Sequence, residues 1–173
     1  MKNSNRVLLA ALLAGVSWCG AAPGGTPVEH TPKVIRFDAG LVDMDTVLQE
    51  GGELRADTDT VVKQTEKIPL TGGTSYGFVI TFRNALAGKV RIEFELPKAP
   101  KTWGDPDDLK AEGAVISADG RTYTREFSIE AGKPVLHIWN VADGDPEGVY
   151  ILRFYMGNSK EPFRTVKWKF EKP

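Results

Sequence analysis

Cysteine, histidine and long helical patterns are scarce in this 173-residue chain, and each scarcity removes a class of function. Cys19 is the single cysteine, so the chain has no internal disulfide and no paired-thiol chemistry. His30 and His137 are the only histidines, which leaves little material for imidazole-based acid–base or metal chemistry. There is no His-Glu-x-x-His segment. No glycine-rich loop leads from a strand into a helix to cradle a phosphate. Charge of one sign is also missing. The 22 basic and 23 acidic residues leave a formal net charge of -1, too little to hold nucleic acid or an acidic membrane through a global field. The long apolar run, Val7 to Val16, falls short of the roughly 20 residues that cross a bilayer. These absences predict no catalytic residue, no cofactor, no metal ligand set, no nucleic-acid partner and no membrane span.

What is present begins with an address. Lys2 and Arg6 precede the Val7–Val16 run, and the small residues Gly20, Ala21 and Ala22 follow it. That order is the layout of an export signal. Proline after the cut blocks the peptidase, so cleavage after Ala21 fits better than cleavage after Ala22, which precedes Pro23. Residues 1–21 are therefore read as the signal, residues 22–32 as a Gly/Pro/Thr-rich flexible tether, and residues 33–173 as one domain. Cys19 sits where a lipoprotein carries its lipidated cysteine. Val16 and Ser17 suit that reading and the bulky Trp18 before the cysteine opposes it. The two outcomes are a lipid anchor on Cys19 or its loss with the signal. Either way the protein is expected to be exported, to the periplasm or the exterior.

From Lys33 onward the recurring pattern is strand, turn, strand. Val90, Ile92, Phe94 and Leu96 alternate with Arg91, Glu93 and Glu95, a period of two with one apolar face. Tyr76, Phe78, Ile80 and Phe82 share a face in the same way. With the short Asn84–Gly88 connection between them, the two segments read as a hairpin. Further strands are expected over Val34–Val42, Arg121–Ile129, Pro134–Val141, Val149–Met156 and Phe163–Phe170. No convincing amphipathic helix is visible, and Thr46–Glu53 supplies at most one turn. About eight short strands with regular turns predict an all-β fold: a two-sheet antiparallel sandwich, immunoglobulin-like, with a closed barrel as the alternative. Glu147-Gly148-Val149-Tyr150 is similar to the turn-then-tyrosine corner of immunoglobulin-like domains, without the cysteine that follows it in antibodies.

Few residues stand out as functional candidates. His137 shares a strand with Val135, Trp139 and Val141 and reads as packing. Asp143-Gly144-Asp145-Pro146-Glu147-Gly148 starts like a calcium loop. Its twelfth position is Phe154, where the loop needs a bidentate acid, so a turn is expected instead. Trp103 lies in an irregular acidic segment, Pro100 to Asp108. It is either a platform for a sugar ring or a partner, or a lid folded over the open end of the sandwich. Lys63, Gln64 and Thr65 have no packing role evident from the pattern, so this polar run is a candidate contact surface. The basic residues near the C-terminus read as a solvated strand face.

The Lys63–Pro69 run, the Gly73-Thr74-Ser75-Tyr76-Gly77-Phe78 segment and the closing strand pair together resemble domain of unknown function family 3859. The resemblance covers about Val34 to Phe170. It implies an exported bacterial β-sandwich and no established activity. The functional expectation is a non-catalytic interaction module of the cell envelope. Its partner would be an envelope protein or, through Trp103, a glycan, in which case the domain is a carbohydrate-binding module. An enzyme with an unrecognised carboxylate site is the remaining alternative.

Overall fold

A computed structural model describes residues 32–50, 53–55, 60, 62–84 and 88–173. The export signal, Cys19, His30 and all of the tether except Pro32 lie outside the described residues. In chain order the elements are β1 (Lys33–Val42), β2 (Leu48–Glu50), β3 (Glu53–Arg55), β4 (Val62–Gln64), β5 (Lys67–Pro69), β6 (Ser75–Arg83), β7 (Gly88–Glu95), α1 (Pro106–Ala111), β8 (Val115–Ile116), β9 (Thr122–Ile129), β10 (Pro134–Asn140), β11 (Gly148–Met156) and β12 (Arg164–Glu171). Ten of the strands form two facing sheets. One is four-stranded, ordered β10-β6-β1-β4, and the other six-stranded, ordered β5-β12-β11-β7-β9-β8. The remaining two, β2 and β3, pair with each other as a ribbon. The expected sandwich is therefore present, with all pairs antiparallel except β5 on β12, which is parallel.

The hairpin expected between β6 and β7 is not there, because the two strands lie in different sheets. Each already has both edges occupied: β6 by β1 and β10, and β7 by β11 and β9. Their apolar faces meet across the sandwich, where the rings of Tyr76 and Phe94 approach to 6.3 Å. Alternation shows that each strand has an apolar face. A four-residue connection can return the chain beside itself or carry it over to the other layer, and here the burial gained across the layers decides.

The core is aromatic. Phe78 packs edge-on against Phe154 at 4.8 Å, Phe37 meets Phe154 at 5.0 Å, and Tyr150 stacks on Phe170 at 3.8 Å. Each large side chain fully removed from water here contributes about 1.5–3 kcal/mol, and well-placed ring pairs about 0.5–1.5 kcal/mol more. β6 is buried on both faces. Its outward Val79 joins Val42 and Val62 in a second, smaller cluster flanked by Val47, Leu136 and Ile138.

Two glycines shape the four-stranded sheet. Gly40 and Gly77 are partners across β1 and β6. A Cβ on Gly40 would fall 2.1 Å from the carbonyl oxygen of Lys63, and a Cβ on Gly77 would fall 2.1 Å from that of His137. Only glycine allows the two outer strands of this sheet to sit so close. The tyrosine corner is also formed, since the buried Tyr150 hydroxyl donates to the Pro146 carbonyl at 2.8 Å, tying the turn to the strand it feeds.

One helix was not anticipated. Asp105 caps α1 by accepting the Asp107 N–H at 2.8 Å, and Pro106 occupies its first turn, as helix starts prefer. Six residues are too few to show a helical period in the sequence. Among the described residues no helix is long and apolar enough to cross a membrane.

Candidate functional site

β9 and β10 belong to different sheets and face each other at one long edge of the sandwich. The wider sheet runs on past β10 as β8, and the α1 segment folds over this extension. Between them lies a cleft of about 350 Å³.

Strand alternation sets its wall. On β9 the inward parity carries Tyr123, Arg125 and Phe127, and on β10 it carries His137 and Trp139. Three rings form a column. Trp103 stacks on Tyr123 at 5.8 Å and 29°, and Tyr123 stacks on His137 at 5.9 Å and 26°. Trp139 closes the column edge-on, 4.3 Å from His137, and also packs on Phe94 at 4.6 Å and Tyr76 at 5.8 Å.

A charged pair is embedded in this aromatic wall. Arg125 Nη1 donates to Glu112 Oε2 at 2.7 Å and lies 3.2 Å from His137 Nδ1, while its guanidinium covers the Phe127 ring at 4.7 Å. Guanidinium nitrogens only donate. His137 Nδ1 must therefore accept, and the network assigns the imidazole proton to Nε2. Burial, reinforced by the Arg125 charge, lowers the His137 pKa to about 3, so the ring is neutral at physiological pH. Burial likewise raises the Tyr123 hydroxyl to about 12. Asp145, at the rim, is also pushed up from the ordinary carboxylate value by burial, opposed by the Ala142 N–H that its Oδ2 accepts at 2.9 Å.

The sequence candidates fall in different places. Trp103 is half-buried and lines the cleft. Its Nε1–H donates to the Gly120 carbonyl at 2.7 Å and its ring also packs edge-on against Phe94 at 6.2 Å. It is a lid residue that is also part of the cleft wall. Lys63, Gln64 and Thr65 are at the opposite edge. Lys63 and Gln64 pair with β1, Gln64 Nε2 donates to Asp38 Oδ1 at 3.0 Å, and the Thr65 hydroxyl accepts the Lys67 N–H at 3.1 Å as the chain turns into β5. The structure thus gives this run a local hydrogen-bonding role and does not join it to Trp103. Cys19 lies outside the described residues. The Asp143–Gly148 segment is a turn closed by Asp145, and Phe154 is wholly buried. Among the described residues no group of three or more acids, histidines or cysteines is placed to hold a metal ion.

Arg125 and His137 were not linked from the sequence. The signal was available: an arginine on the apolar parity of β9, between Tyr123 and Phe127, needs a partner facing it from the other sheet.

The profile of the PM0630 beta sandwich domain matches residues 51–169. The chain belongs to that family. The match takes in every segment of the PM0630 beta sandwich domain that lines the cleft, from Tyr76 to Asp145. An immunoglobulin-like protein from Pseudomonas aeruginosa is structurally similar, with a TM-score of 0.50 at 9% identity, covering 83% of this chain and 99% of that chain. At that identity the likeness speaks to the fold alone. No curated protein matches the sequence.

Proposed function

We propose that this domain is an exported, non-catalytic binding module of the bacterial cell envelope that receives its ligand in the cleft beside β10. The observation that carries the reading is the stacked column Trp103–Tyr123–His137 on the wall of that cleft. Fixed aromatic faces with a few placed polar groups are the makeup of a binding site. A binding role fits better than catalysis, because a histidine with a pKa near 3 is too weak a base to work at neutral pH. Glu112 is engaged by Arg125 and is not free to act alone. The layout of residues 1–22 supports export, and the resemblance of Lys63–Pro69 and Gly73–Phe78 to domain of unknown function family 3859 agrees with an envelope setting.

The test uses the mature protein. Envelope extract added to an isotope-labelled sample should move the indole N–H resonances of Trp103 and Trp139 and leave that of Trp168, buried in the core, in place. Shifts confined to the β4–β5 edge, or no shifts, would overturn the cleft as the binding surface. Mass spectrometry of the N-terminus checks the address: a chain starting at Ala22 or a diacylated Cys19 supports export, and an intact Met1 in the cytoplasm refutes it.

A further inference from the structure

Resting on that reading of the cleft, we propose that its ligand is a saccharide, neutral or amino-substituted, and not an acidic one. The argument comes from matching donors, acceptors and rings. Trp103 and Trp139, both half-buried on the cleft wall, offer flat apolar faces of the kind that cover the C–H face of a pyranose, and Tyr123, buried between Trp103 and His137, backs that wall. The Trp103 indole is already fixed by its bond to Gly120, so little side-chain freedom remains to be lost on binding.

The polar groups around these faces are of both kinds. His137 presents Nε2–H as a donor, because Arg125 holds its Nδ1, and Nε2 has no hydrogen-bond partner among the described residues. Asn140 Oδ1 accepts from the Ser75 hydroxyl at 2.8 Å, which leaves its amide N–H groups as donors. Asp145 uses Oδ2 for the Ala142 N–H, which leaves Oδ1 as an acceptor. A simple cation would use only the acceptors, and a simple anion only the donors. A hydroxyl donates and accepts at once, so a ring carrying several hydroxyls satisfies both sets.

Charge narrows the class. The cleft lining includes Asp105, Asp108, Glu112 and Asp145, and no lysine or arginine. Glu112 is already paired with Arg125, but uronates, sulfated sugars and phosphosugars would still meet Asp105, Asp108 and Asp145 without a lining cation to offset them. An ammonium group on an amino sugar meets no such opposition. The volume, about 350 Å³, lies near the lower end of ordinary small-ligand sites and admits a short saccharide.

The experiment titrates the labelled mature protein with three trisaccharides: chitotriose, its fully deacetylated amino form, and trigalacturonate. Chitotriose or the amino form should shift the Trp103 indole and His137 ring resonances, with trigalacturonate binding at least tenfold more weakly. Trp103→Ala should weaken binding at least tenfold. Asn140→Ala, an exposed change at the rim, should weaken it several-fold while leaving the melting temperature in place, which separates lost binding from lost folding. Tighter binding of trigalacturonate would overturn the charge argument. If none of the three sugars moves the cleft resonances while protease-sensitive envelope material does, the saccharide proposal fails and the binding reading stands on a protein partner. If nothing moves them, both fall.

Discussion

At the edge formed by β4 and β5 the chain crosses directly from one sheet to the other, whereas at the edge formed by β10 the six-stranded sheet runs on past the four-stranded one. The first edge is held by short side-chain bonds beside an open recess of about 560 Å³. Gln64 reaches Asp38, Thr65 caps the turn into Lys67, and Arg164 lies over the Phe37 ring at 4.9 Å. Nothing polar there depends on a group far inside the protein. The second edge draws an arginine and a histidine from facing strands into an aromatic wall and leaves an imidazole N–H without a partner among the described residues. Polar residues exposed along an edge mark a solvated border. Polar residues on an inward parity mark a place where the fold has accepted a desolvation cost, and such places are where a ligand has something to recognise.

The most damaging way to break this comparison is at the paired glycines. Gly77→Ala drives a methyl into the His137 carbonyl and should push β10 away from β6. We expect a loss of about 3 kcal/mol or more, read by denaturant unfolding, and loss of the cleft resonances. Gly40→Ala makes the same collision with Lys63, but against a three-residue strand that can detach. Its loss should be smaller and the cleft should survive. Equal losses would mean that both edges are held alike.

Acid tests the second edge through His137. Unfolding restores His137 from about 3 toward the ordinary 6.5. Between those values the unfolded chain binds the extra proton, so stability falls as pH drops, by at most about 1.4 kcal/mol per unit from this group. Asp145 works in the opposite sense, because its raised pKa favours the folded state at low pH and that gain is lost as pH rises through the folded value. The difference between wild type and His137→Gln isolates the histidine. Melting temperatures from pH 7 down to pH 4 should fall more steeply in the wild type, and parallel curves would refute the buried neutral imidazole. Removing the Arg125 charge with Arg125→Met should raise the folded His137 pKa, so the fall starts at the same pH but levels off sooner and is smaller in total.

The smallest effect belongs to the first edge. Gln64→Ala removes one exposed bond to Asp38 and should change stability by no more than about 0.5 kcal/mol, with no change in the cleft resonances. A loss above about 1 kcal/mol in chemical denaturation would show that this border contributes more than local bonds suggest.

Much of this fold was legible in the sequence, and the reasons are physical. A period of two needs only the apolar face of a strand, so β7, β9 and β12 read clearly. The tyrosine corner read because turn and tyrosine are adjacent in sequence. Edge partners did not read, because alternation reports a face and says nothing of which strand lies beside it. That is why alternation alone reads β6 and β7 as a hairpin. β5 and β8, at three and two residues, are too short to show any period. Trp103 was legible as a lid because a tryptophan in a polar segment must cover something. The Arg125–His137 pair was half legible: its odd parity was visible, but its partner lies twelve residues on and in the other sheet.

The unequal width of the two sheets has a further consequence. The recess beside β10 arises from strand number, six against four, and not from any one side chain. Its floor is the aromatic core, which must be kept for the protein to fold. Its roof is a short insert whose Trp103 and Leu109 rest on that core from outside. Such a socket can keep its frame while the roof is rewritten, so a change of ligand would require new loop residues between β7 and β8 and no new fold.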